Sequence, residues 1–367
     1  MNKVFFLGST RCFHTIDWYE SALNYFKTPV FFVTDMIEGE GFKCLVKDHS
    51  KIKKLIVIDK LLKKNYGGIG HLLRNFIKIL IFPFQIVLIR RYIRKDETTI
   101  TFAHSTYYSF LASLSGIKYV STPQGSEVLV RLEESFLYRI FAYLAHKRAF
   151  LVTVDSIAMK KKLKEIINVD SEVVQNGIPI AELLKIGTGR NKKDDKFFSI
   201  RGLEENYQVY EIVKQRNQED LNIGIEISCP FLNENYKEKV LSILDENKDK
   251  ILGKLDRAEF HHVLQNHSVV ISVPLSDSSP RSVYEAIFLG CIVIARRNQY
   301  VAKIPNCMSK RVILTDCKGN WLAKALKEAF QKAQEAYSPS REAIYEFDQS
   351  KSINRTIKIL KEKGMEI

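Results

Sequence analysis

SVVISVPLSDSSPRSVYEAIFLGCIVIA, residues 268–295, is the stretch of the chain that decides the fold. It begins with a short apolar run, SVVISV, which predicts a strand. Ser279 and Pro280 then mark a helix start, because Ser is a favoured N-cap and the missing N–H of Pro costs nothing at the first helical position. Gly290 ends the helix before a second apolar run, CIVIA. The stretch therefore predicts a strand, a loop, a helix and a strand in succession.

The start of this predicted helix offers a site for a phosphate. Backbone N–H groups near Arg281, Ser282 and Val283 are expected to be free, and with the helix dipole they attract an anion, as does the charge of Arg281. Asp277 and Glu285 are carboxylates on either side, and a carboxylate can accept both hydroxyls of a ribose. Either acid alone is better interpreted as a loop residue or a solvated helix residue. Together they favour a nucleotide-sugar site.

Short apolar runs alternate with helical stretches outward from this segment in both directions. In the first half the runs are VFFLG, VFFVTD, LIVID, TITFAH, KYVST and FLVTVDS, and in the second half they are KFFSIRGL, NIGIEIS, DKILGKL, SVVISV and CIVIA. Such alternation predicts the α/β class, with parallel strands and crossover helices. Ligands of doubly wound sheets bind beyond the carboxyl ends of the strands where strand order reverses. Two such domains facing each other would place a binding cleft between them.

The length of 367 residues is too great for one ordinary core and suits two domains of comparable size. The hydrophilic run GTGRNKKDD is typical of a linker. We therefore predict an N-terminal acceptor-binding domain over residues 1–186, a linker over 187–195 and a C-terminal nucleotide-sugar-binding domain over 196–345. A C-terminal helix over 346–367 follows, and its return to the N-terminal domain is left open.

The composition favours a basic protein of a reducing compartment. A formal charge of +14 attracts anions, which could be nucleic acid, phosphorylated substrates or an anionic membrane face. The six cysteines are scattered without a C-x-x-C pair, so neither a zinc site nor a disulfide framework is expected. The N-terminal run MNKVFFLGST is too short for the core of a signal peptide and predicts a first strand. These features favour a cytoplasmic location.

The most hydrophobic stretch, residues 72–93 (LLRNFIKILIFPFQIVLIRRYI), approaches transmembrane length. Arg74, Lys78, Arg90 and Arg91, together with a central proline, argue against a membrane span. Two interpretations remain open. The stretch is either a core helix packed on a sheet or a helix whose apolar and basic face lies on a membrane.

These motifs resemble the retaining GT-B glycosyltransferases of the GT4-like group. That family has two acids separated by seven residues, followed by an Ala and a Gly before a strand, and Asp277 and Glu285 have this spacing. VVQNGI, residues 173–178, resembles the family's Pro-Asn-Gly-Ile end of the first domain. GKLDRAEFHHVL, residues 253–264, resembles its Gly-containing strand and following helix. The resemblance covers most of the chain and implies a GT-B fold, two Rossmann-like domains facing a central cleft.

The resemblance also implies how the donor diphosphate is bound. Arg201 in FFSIRGL falls where the family carries a basic residue on the donor pyrophosphate, and Lys254 follows another strand of the C-terminal domain. Charge-assisted hydrogen bonds contribute roughly 1.5 to 3 kcal/mol each, enough to replace a metal in stabilising the departing nucleoside diphosphate. No metal and no other cofactor is therefore expected.

In the N-terminal domain the family has a Gly-containing loop after the first strand, matched here by Gly8 and Ser9. Its His-Gly motif aligns with TPQGSEV, where Gln124 stands in place of the His. A Gln can hydrogen-bond a donor sugar but cannot transfer a proton. His104, at the end of a predicted strand, is a candidate substrate contact, although a lone His is more often structural. Glu127 is a candidate for binding the acceptor.

The function implied is transfer of a sugar from a nucleoside diphosphate donor to a hydroxyl of a growing glycan, with retention at the anomeric carbon. In this scheme Arg201 stabilises the leaving phosphate, Glu285 holds the ribose and Asp277 orients the sugar. The basic stretch 72–93 suggests an acceptor linked to lipid. The protein would then lie peripherally on the inner face of the cell membrane, in the assembly of bacterial surface polysaccharide such as lipopolysaccharide.

Two alternatives belong to other classes of protein. A basic protein that binds anionic lipid or nucleic acid would explain the charge, but it does not explain the two alternating halves or the paired acids. No zinc finger or RNA-binding motif is visible, so nucleic acid is not expected as a partner. A non-catalytic GT-B partner subunit is kept open by Gln124.

Overall fold

The structure, a computed structural model, describes residues 3–10, 12–35, 50–57, 68–93, 99–187, 196–297 and 304–365. The chain divides into two compact units, Met1–Asn176 with Gln349–Ile367, and Gly177–Asp348. The first unit ends before the domain limit of 186 expected from the sequence, because Ile180 and Leu183 pack in the core of the second unit. Residues 188–195 of the predicted linker lie outside the described residues.

The described part of the first unit contains a parallel sheet of seven strands in the order β3-β2-β1-β4-β5-β6-β7. The strands are β1 Val4–Leu7, β2 Val30–Thr34, β3 Ile52–Lys54, β4 Ile100–His104, β5 Val120–Thr122, β6 Leu151–Val154 and β7 Glu172–Val173. β3 lies just before the predicted strand LIVID, of which residues 58 and 59 lie outside the described part. Strand order reverses where β1 adjoins β4.

Helices cover both faces of this sheet. They are α1 Phe13–Tyr25, α2 Gly68–Tyr92, α3 Thr106–Ser115, α4 Gly125–Leu129, α5 Arg131–Glu134, α6 Phe136–His146 and α7 Ile157–Ile167. Alternate residues of β1 point to opposite faces, so Phe6 joins one apolar cluster while Phe5 and Leu7 join the other. A sheet buried on both faces requires the nearly continuous apolar runs seen in the sequence.

The second unit, over its described residues, contains a parallel sheet of six strands in the order β10-β9-β8-β11-β12-β13. The strands are β8 Lys196–Ser199, β9 Gly224–Ser228, β10 Lys250–Gly253, β11 Val269–Ser272, β12 Ile292–Arg296 and β13 Val312–Thr315. The helices are α8 Ile180–Ile186, α9 Val209–Gln218, α10 Glu234–Leu241, α11 Arg257–Gln265, α12 Arg281–Phe288, α13 Asn306–Ser309, α14 Trp321–Ala333 and α15 Arg341–Phe347. Strand order reverses between β8 and β11. The predicted α/β class with two doubly wound parallel sheets is confirmed.

The last helix, α16 Gln349–Glu362, belongs to the first unit. Its apolar face, with Ile353, Ile357 and Leu360, packs in the same cluster as residues of α1 such as Trp18. The apolar face of the C-terminal helix is therefore covered by the first unit, to which the helix returns.

The helix predicted within residues 72–93 corresponds to α2, which begins at Gly68 and ends at Tyr92. Ile89 and Ile93 are buried against the first sheet, with Phe82 and Ile86 packed beside them, so one face of this helix is a core face. Pro83 lies inside the helix. Among the described residues, no helix is long and apolar enough to cross a bilayer.

Candidate functional site

The candidate site in the second unit begins where strand order reverses. β8 and β11 are hydrogen-bonded neighbours, with Phe198 opposite Val270 and Ser199 opposite Ile271. Arg201 follows the carboxyl end of β8, and Asp277 lies in the loop that follows β11. A crevice between crossover connections opens at such a point, and ligands of doubly wound sheets bind there. The fold thus brings together two of the predicted site residues.

Arg201 is held in place by three neighbours. Its Nε donates to the Ser272 hydroxyl at 2.7 Å, and its Nη2 forms an ion pair with Oδ2 of Asp277. Its guanidinium carbon lies 5.7 Å from the centre of the Tyr207 ring. The side chains of Arg201 and Asp277 are only 14% and 16% exposed. The guanidinium is therefore a preorganised cation at the edge of the crevice.

The loop that carries Asp277 is anchored by Asn206. The Asn206 amide donates to the Ser276 carbonyl at 3.2 Å and accepts from the Ser276 N–H at 3.1 Å, while the Asn206 carbonyl accepts from the Leu275 N–H at 2.8 Å. The Ser278 N–H donates to Oδ1 of Asp277 at 2.9 Å. Sequence reasoning missed Asn206, although its position soon after the end of β8 is one where ligand-facing residues gather.

The start of α12 differs in detail from the prediction. Pro280, and not Ser279, is the N-cap residue, and no side chain caps this end of the helix. The Val283 N–H, which the sequence predicts to be free, donates to the Pro280 carbonyl at 3.0 Å, because an i to i+3 bond tightens the first turn. The candidate anion site is then limited to the first two helical residues, Arg281 and Ser282.

Glu285 is buried, with only 6% of its surface exposed, so its interpretation as a solvated helix residue is wrong. Its Oε2 lies 3.6 Å from Nε2 of His261, a buried residue of α11. Burial opposes ionisation, but His261, Arg281 and Arg257 outweigh it and hold the pKa of the Glu285 carboxyl below its ordinary value. Glu285 is thus a buried carboxylate stabilised by the His261 ring and by the charges of Arg281 and Arg257. No spacing in the sequence singled out His261.

Lys254 is exposed and follows β10, the edge strand of the sheet. β9 separates β10 from β8, so the strand spacing puts the backbone of Lys254 about 10 Å from that of Arg201. The structure therefore places Lys254 on the same sheet edge as Arg201, two strands away.

The predicted residues of the first unit also gather at one sheet edge. Gly8 and Ser9 follow β1, His104 ends β4 and Gln124 follows β5, and these three strands are adjacent. A Cβ on Gly8 would lie 2.3 Å from Cγ2 of Thr15, so the loop can approach α1 this closely only with glycine.

His104 is a buried, neutral side chain at this edge. Its ring lies 5.6 Å from the rings of both Phe6 and Trp18, measured between centroids. Burial, with a smaller effect of His14, lowers the pKa of His104 to about 3. Within the described residues, Nε2 of His104 is buried without a hydrogen-bond partner. Near neutral pH this ring is uncharged, and it can donate one hydrogen bond and accept another.

Glu127 joins the starts of two helices. Its Oε2 accepts from the N–H of Thr106 at 2.9 Å, from the Thr106 hydroxyl at 3.1 Å and from the N–H of Gln124 at 2.9 Å. Burial raises the pKa of this carboxyl. The Gln124 amide donates to Sγ of Cys12 at 3.1 Å. These bonds give Glu127 a structural role, and its contact with an acceptor stays a prediction.

Within the described ranges, no group of three or more His, Cys, Asp or Glu side chains is arranged to hold a metal ion. The site consists instead of paired opposite charges, one pair at Arg201 and Asp277 and a second group around Glu285.

No family model matches this sequence, and no curated protein matches it. Solved structures do match. HepE (Alr3699) of Anabaena in complex with UDP is 14% identical, with a TM-score of 0.66 over 99% of this chain and 100% of that chain. Sucrose-phosphate synthase of Thermosynechococcus elongatus is 11% identical, with a TM-score of 0.74 over 99% of both chains. A putative UDP-N-acetylglucosamine 2-epimerase of Listeria monocytogenes is 17% identical, with a TM-score of 0.59 over 98% of this chain and 95% of that chain.

The chain therefore has the GT-B fold, with two Rossmann-like units. The similar structures include a synthase and an epimerase, so the fold alone does not fix the reaction. The function has to be argued from the site.

Proposed function

We propose that this chain is a glycosyltransferase that uses a nucleoside diphosphate sugar as donor. The observation that carries the proposal is the pair of Arg201 and Asp277, held at the point of strand reversal in the second sheet and followed in sequence by the start of α12. A cation fixed in this crevice is suited to a diphosphate. HepE of Anabaena, which shares the fold, has been solved with UDP and with UDP-glucose, which supports a donor of this class.

In the proposed complex, Arg201 and the first residues of α12 bind the diphosphate, with Lys254 as a second cation on the same sheet edge. Glu285 accepts hydrogen bonds from the ribose hydroxyls. Asp277 orients Arg201 through their ion pair and accepts a hydroxyl of the donor sugar. Bonds of this kind contribute roughly 1.5 to 3 kcal/mol each, so the departing diphosphate is stabilised without a metal ion.

The proposed chemical step is hexosyl transfer with retention, as the resemblance to the GT4-like group implies. The acceptor oxygen attacks the anomeric carbon from the face of the leaving group, and the bond from that carbon to the diphosphate oxygen breaks. Its electron pair stays on the diphosphate, which also takes the acceptor proton. No side chain has to act as a base, which agrees with Gln124 in place of a His and with a neutral, buried His104. Most of the acceleration comes from orientation and electrostatics.

The proposed acceptor is a hydroxyl of a glycan carried on a lipid, at the inner face of the cell membrane, in the assembly of surface polysaccharide such as lipopolysaccharide. The net charge of +14 and the basic end of α2 support a peripheral contact with an anionic membrane. Gly8, Ser9, His104, Gln124 and Glu127 mark the sheet edge of the first unit where the acceptor would bind.

The proposal is tested by measuring nucleoside diphosphate release from a panel of sugar donors, with glycan acceptors present. We expect release from a donor in the panel, a product with the anomeric configuration of that donor, and loss of both in Arg201→Ala. Lys332→Ala, on α14 of the same unit, is the matched control and should keep activity. Nucleotide binding without turnover would favour a non-catalytic partner subunit. Absence of any nucleotide binding in a thermal-shift screen would refute the proposal.

A further inference from the structure

Exposed apolar side chains are concentrated on two helices of the first unit. Half of the large hydrophobic residues that are exposed in the described part of the chain lie on α2 and α6, namely Phe76, Ile79, Leu80, Phe84, Val87, Phe136, Leu137, Ile140, Tyr143 and Leu144. Single exposed apolar residues are normal on a protein surface. A concentration of them on two helices indicates an interaction surface.

The two helices form one surface because α3 links them. The Phe110 ring of α3 lies 5.5 Å from the Phe82 ring of α2 and 4.6 Å from the Phe141 ring of α6, measured between centroids. Buried residues on the opposite sides, Ile89 of α2 and Ala142 of α6, anchor each helix in the unit. We call the exposed sides of α2 and α6 the α2–α6 face.

The helices of the α2–α6 face carry basic and no acidic residues. Residues 68–93, 99–126 and 135–154, which contain α2, α3 and α6, include no Asp or Glu. Two exposed basic residues come after the exposed apolar residues of each helix. They are Arg90 and Arg91 in the last turn of α2, and Lys147 and Arg148 just after the end of α6. The acidic residues that precede α6 are Glu133, which is paired with Lys162 at 2.5 Å, and Glu134.

We infer that the α2–α6 face docks on an anionic lipid bilayer, with Phe136 and Leu137 at the start of α6 entering the interfacial region. These two side chains are 71% and 77% exposed, more than any other large hydrophobic residue in the described part. Apolar side chains bordered by arginine and lysine suit acyl chains next to negative headgroups. A second copy of this chain would instead bring basic residues against basic residues. The inference deepens the membrane contact of the proposed function and rests on it only for the presence of a membrane.

The test is co-sedimentation with vesicles of phosphatidylcholine, with and without phosphatidylglycerol, at low and high salt. We expect binding to the anionic vesicles that falls as salt rises. Phe136→Ser with Leu137→Ser should lower the partition coefficient at least about tenfold. Arg91→Glu with Arg148→Glu replaces two positive charges by two negative ones, so it should lower the partition coefficient at least about 30-fold on anionic vesicles. All four side chains are exposed, so the variants should keep the unfolding temperature of the parent protein.

Matched controls come from the second unit, where Leu241 and Tyr345 are exposed apolar residues and Lys318 and Lys324 are exposed basic residues. Leu241→Ser with Tyr345→Ser, and separately Lys318→Glu with Lys324→Glu, should leave vesicle binding unchanged. Glu285→Ala should also bind vesicles like the parent protein, which separates failure of docking from failure of the proposed reaction. Vesicle binding that is unaffected in the α6 variant would overturn the inference. The inference would also be overturned if the parent protein does not bind vesicles but self-associates, and if Phe136→Ser with Leu137→Ser abolishes that self-association. The α2–α6 face would then be an interface with a second copy of the chain.

Discussion

The ion pair of Arg201 and Asp277 predicts how substitutions of the two residues change the affinity for a nucleoside diphosphate. We expect Arg201→Ala to weaken binding of the nucleoside diphosphate, and we expect the double variant Arg201→Ala with Asp277→Asn to bind it more tightly than the single variant does. The reason is that Arg201→Ala leaves the Asp277 carboxylate unpaired at the edge of the crevice, where it repels the diphosphate. Asp277→Asn removes that repulsion.

The magnitudes follow from the contacts of Arg201. A charge-assisted bond to the diphosphate contributes about 1.5 to 3 kcal/mol, so its loss should raise Kd about 10- to 150-fold. Two unit charges about 6 Å apart repel by about 3 kcal/mol at an effective dielectric constant of 20. The Asp277 side chain is partly exposed, at 16%, so solvent screening reduces its repulsion of the diphosphate to roughly 1 kcal/mol. The double variant should therefore bind roughly fivefold more tightly than Arg201→Ala.

Isothermal titration calorimetry of the parent protein, both single variants and the double variant with the same nucleotide measures this cycle. Lys332→Ala serves as the control for loss of a positive charge in the same unit. If the double variant binds no more tightly than Arg201→Ala, Asp277 does not act through Arg201 and the proposed arrangement is wrong. In Asp277→Asn alone we expect turnover to fall more than nucleotide affinity, because the cation remains and the contact with the sugar is lost.

Three further predictions concern Glu285 and the diphosphate. Glu285→Ala should abolish transfer, weaken nucleotide binding and cost about 1 to 3 kcal/mol of stability, because it leaves the buried His261 and Arg281 side chains without their carboxylate. Donor affinity equal to that of the parent protein would contradict the assignment to the ribose. Transfer should persist in excess EDTA, and loss of activity that magnesium or manganese restores would show that a metal is required. Because the folded-state pKa of Glu285 lies below its ordinary value of 4.5, the stability it contributes is present above that value and is lost as pH falls through the lowered pKa. The difference in unfolding free energy between the parent protein and Glu285→Gln should accordingly shrink from about pH 6 to about pH 3, and a difference that grows on acidification would contradict this sign.

Much of the fold could be predicted because its strands are buried on both faces. SVVISV and CIVIA are continuous apolar runs, and β11 and β12 lie within them with side chains packed on either side of the sheet. The order of the strands could not be predicted from the runs themselves, because each run specifies burial and not its neighbour. The first unit ends at Asn176 and not at the predicted residue 186 for a similar reason. Helix α8 precedes the predicted linker, but its Ile180 and Leu183 find their packing partners in the second unit.

The candidate site was predictable only where its residues are close in sequence. Asp277 and Glu285 were found from their spacing around a helix start, whereas the ion pair of Asp277 joins residues that are 76 positions apart. His261 and Asn206 carried no recognisable pattern, since their roles come from α11 packing beside α12 and from the loop after β11. Tertiary contacts also decided that Glu285 is buried and that Glu127 bonds to two helix starts.

Helices α2 and α6 also show what the sequence determines by itself and what only the tertiary structure decides. The sequence by itself determined that residues 72–93 are apolar and basic and suit a helix, but it left open whether that helix packs in the core or lies on a membrane. It also determined that α2 and α6 themselves contain no acidic residue. Only the tertiary structure decided which apolar side chains of α2 and α6 are buried, because the elements that pack against them are distant in the chain. In α6 the helix buries Ala142 and Ala145 and packs Phe141 against Phe110 of α3, but it leaves Phe136 and Leu137 exposed.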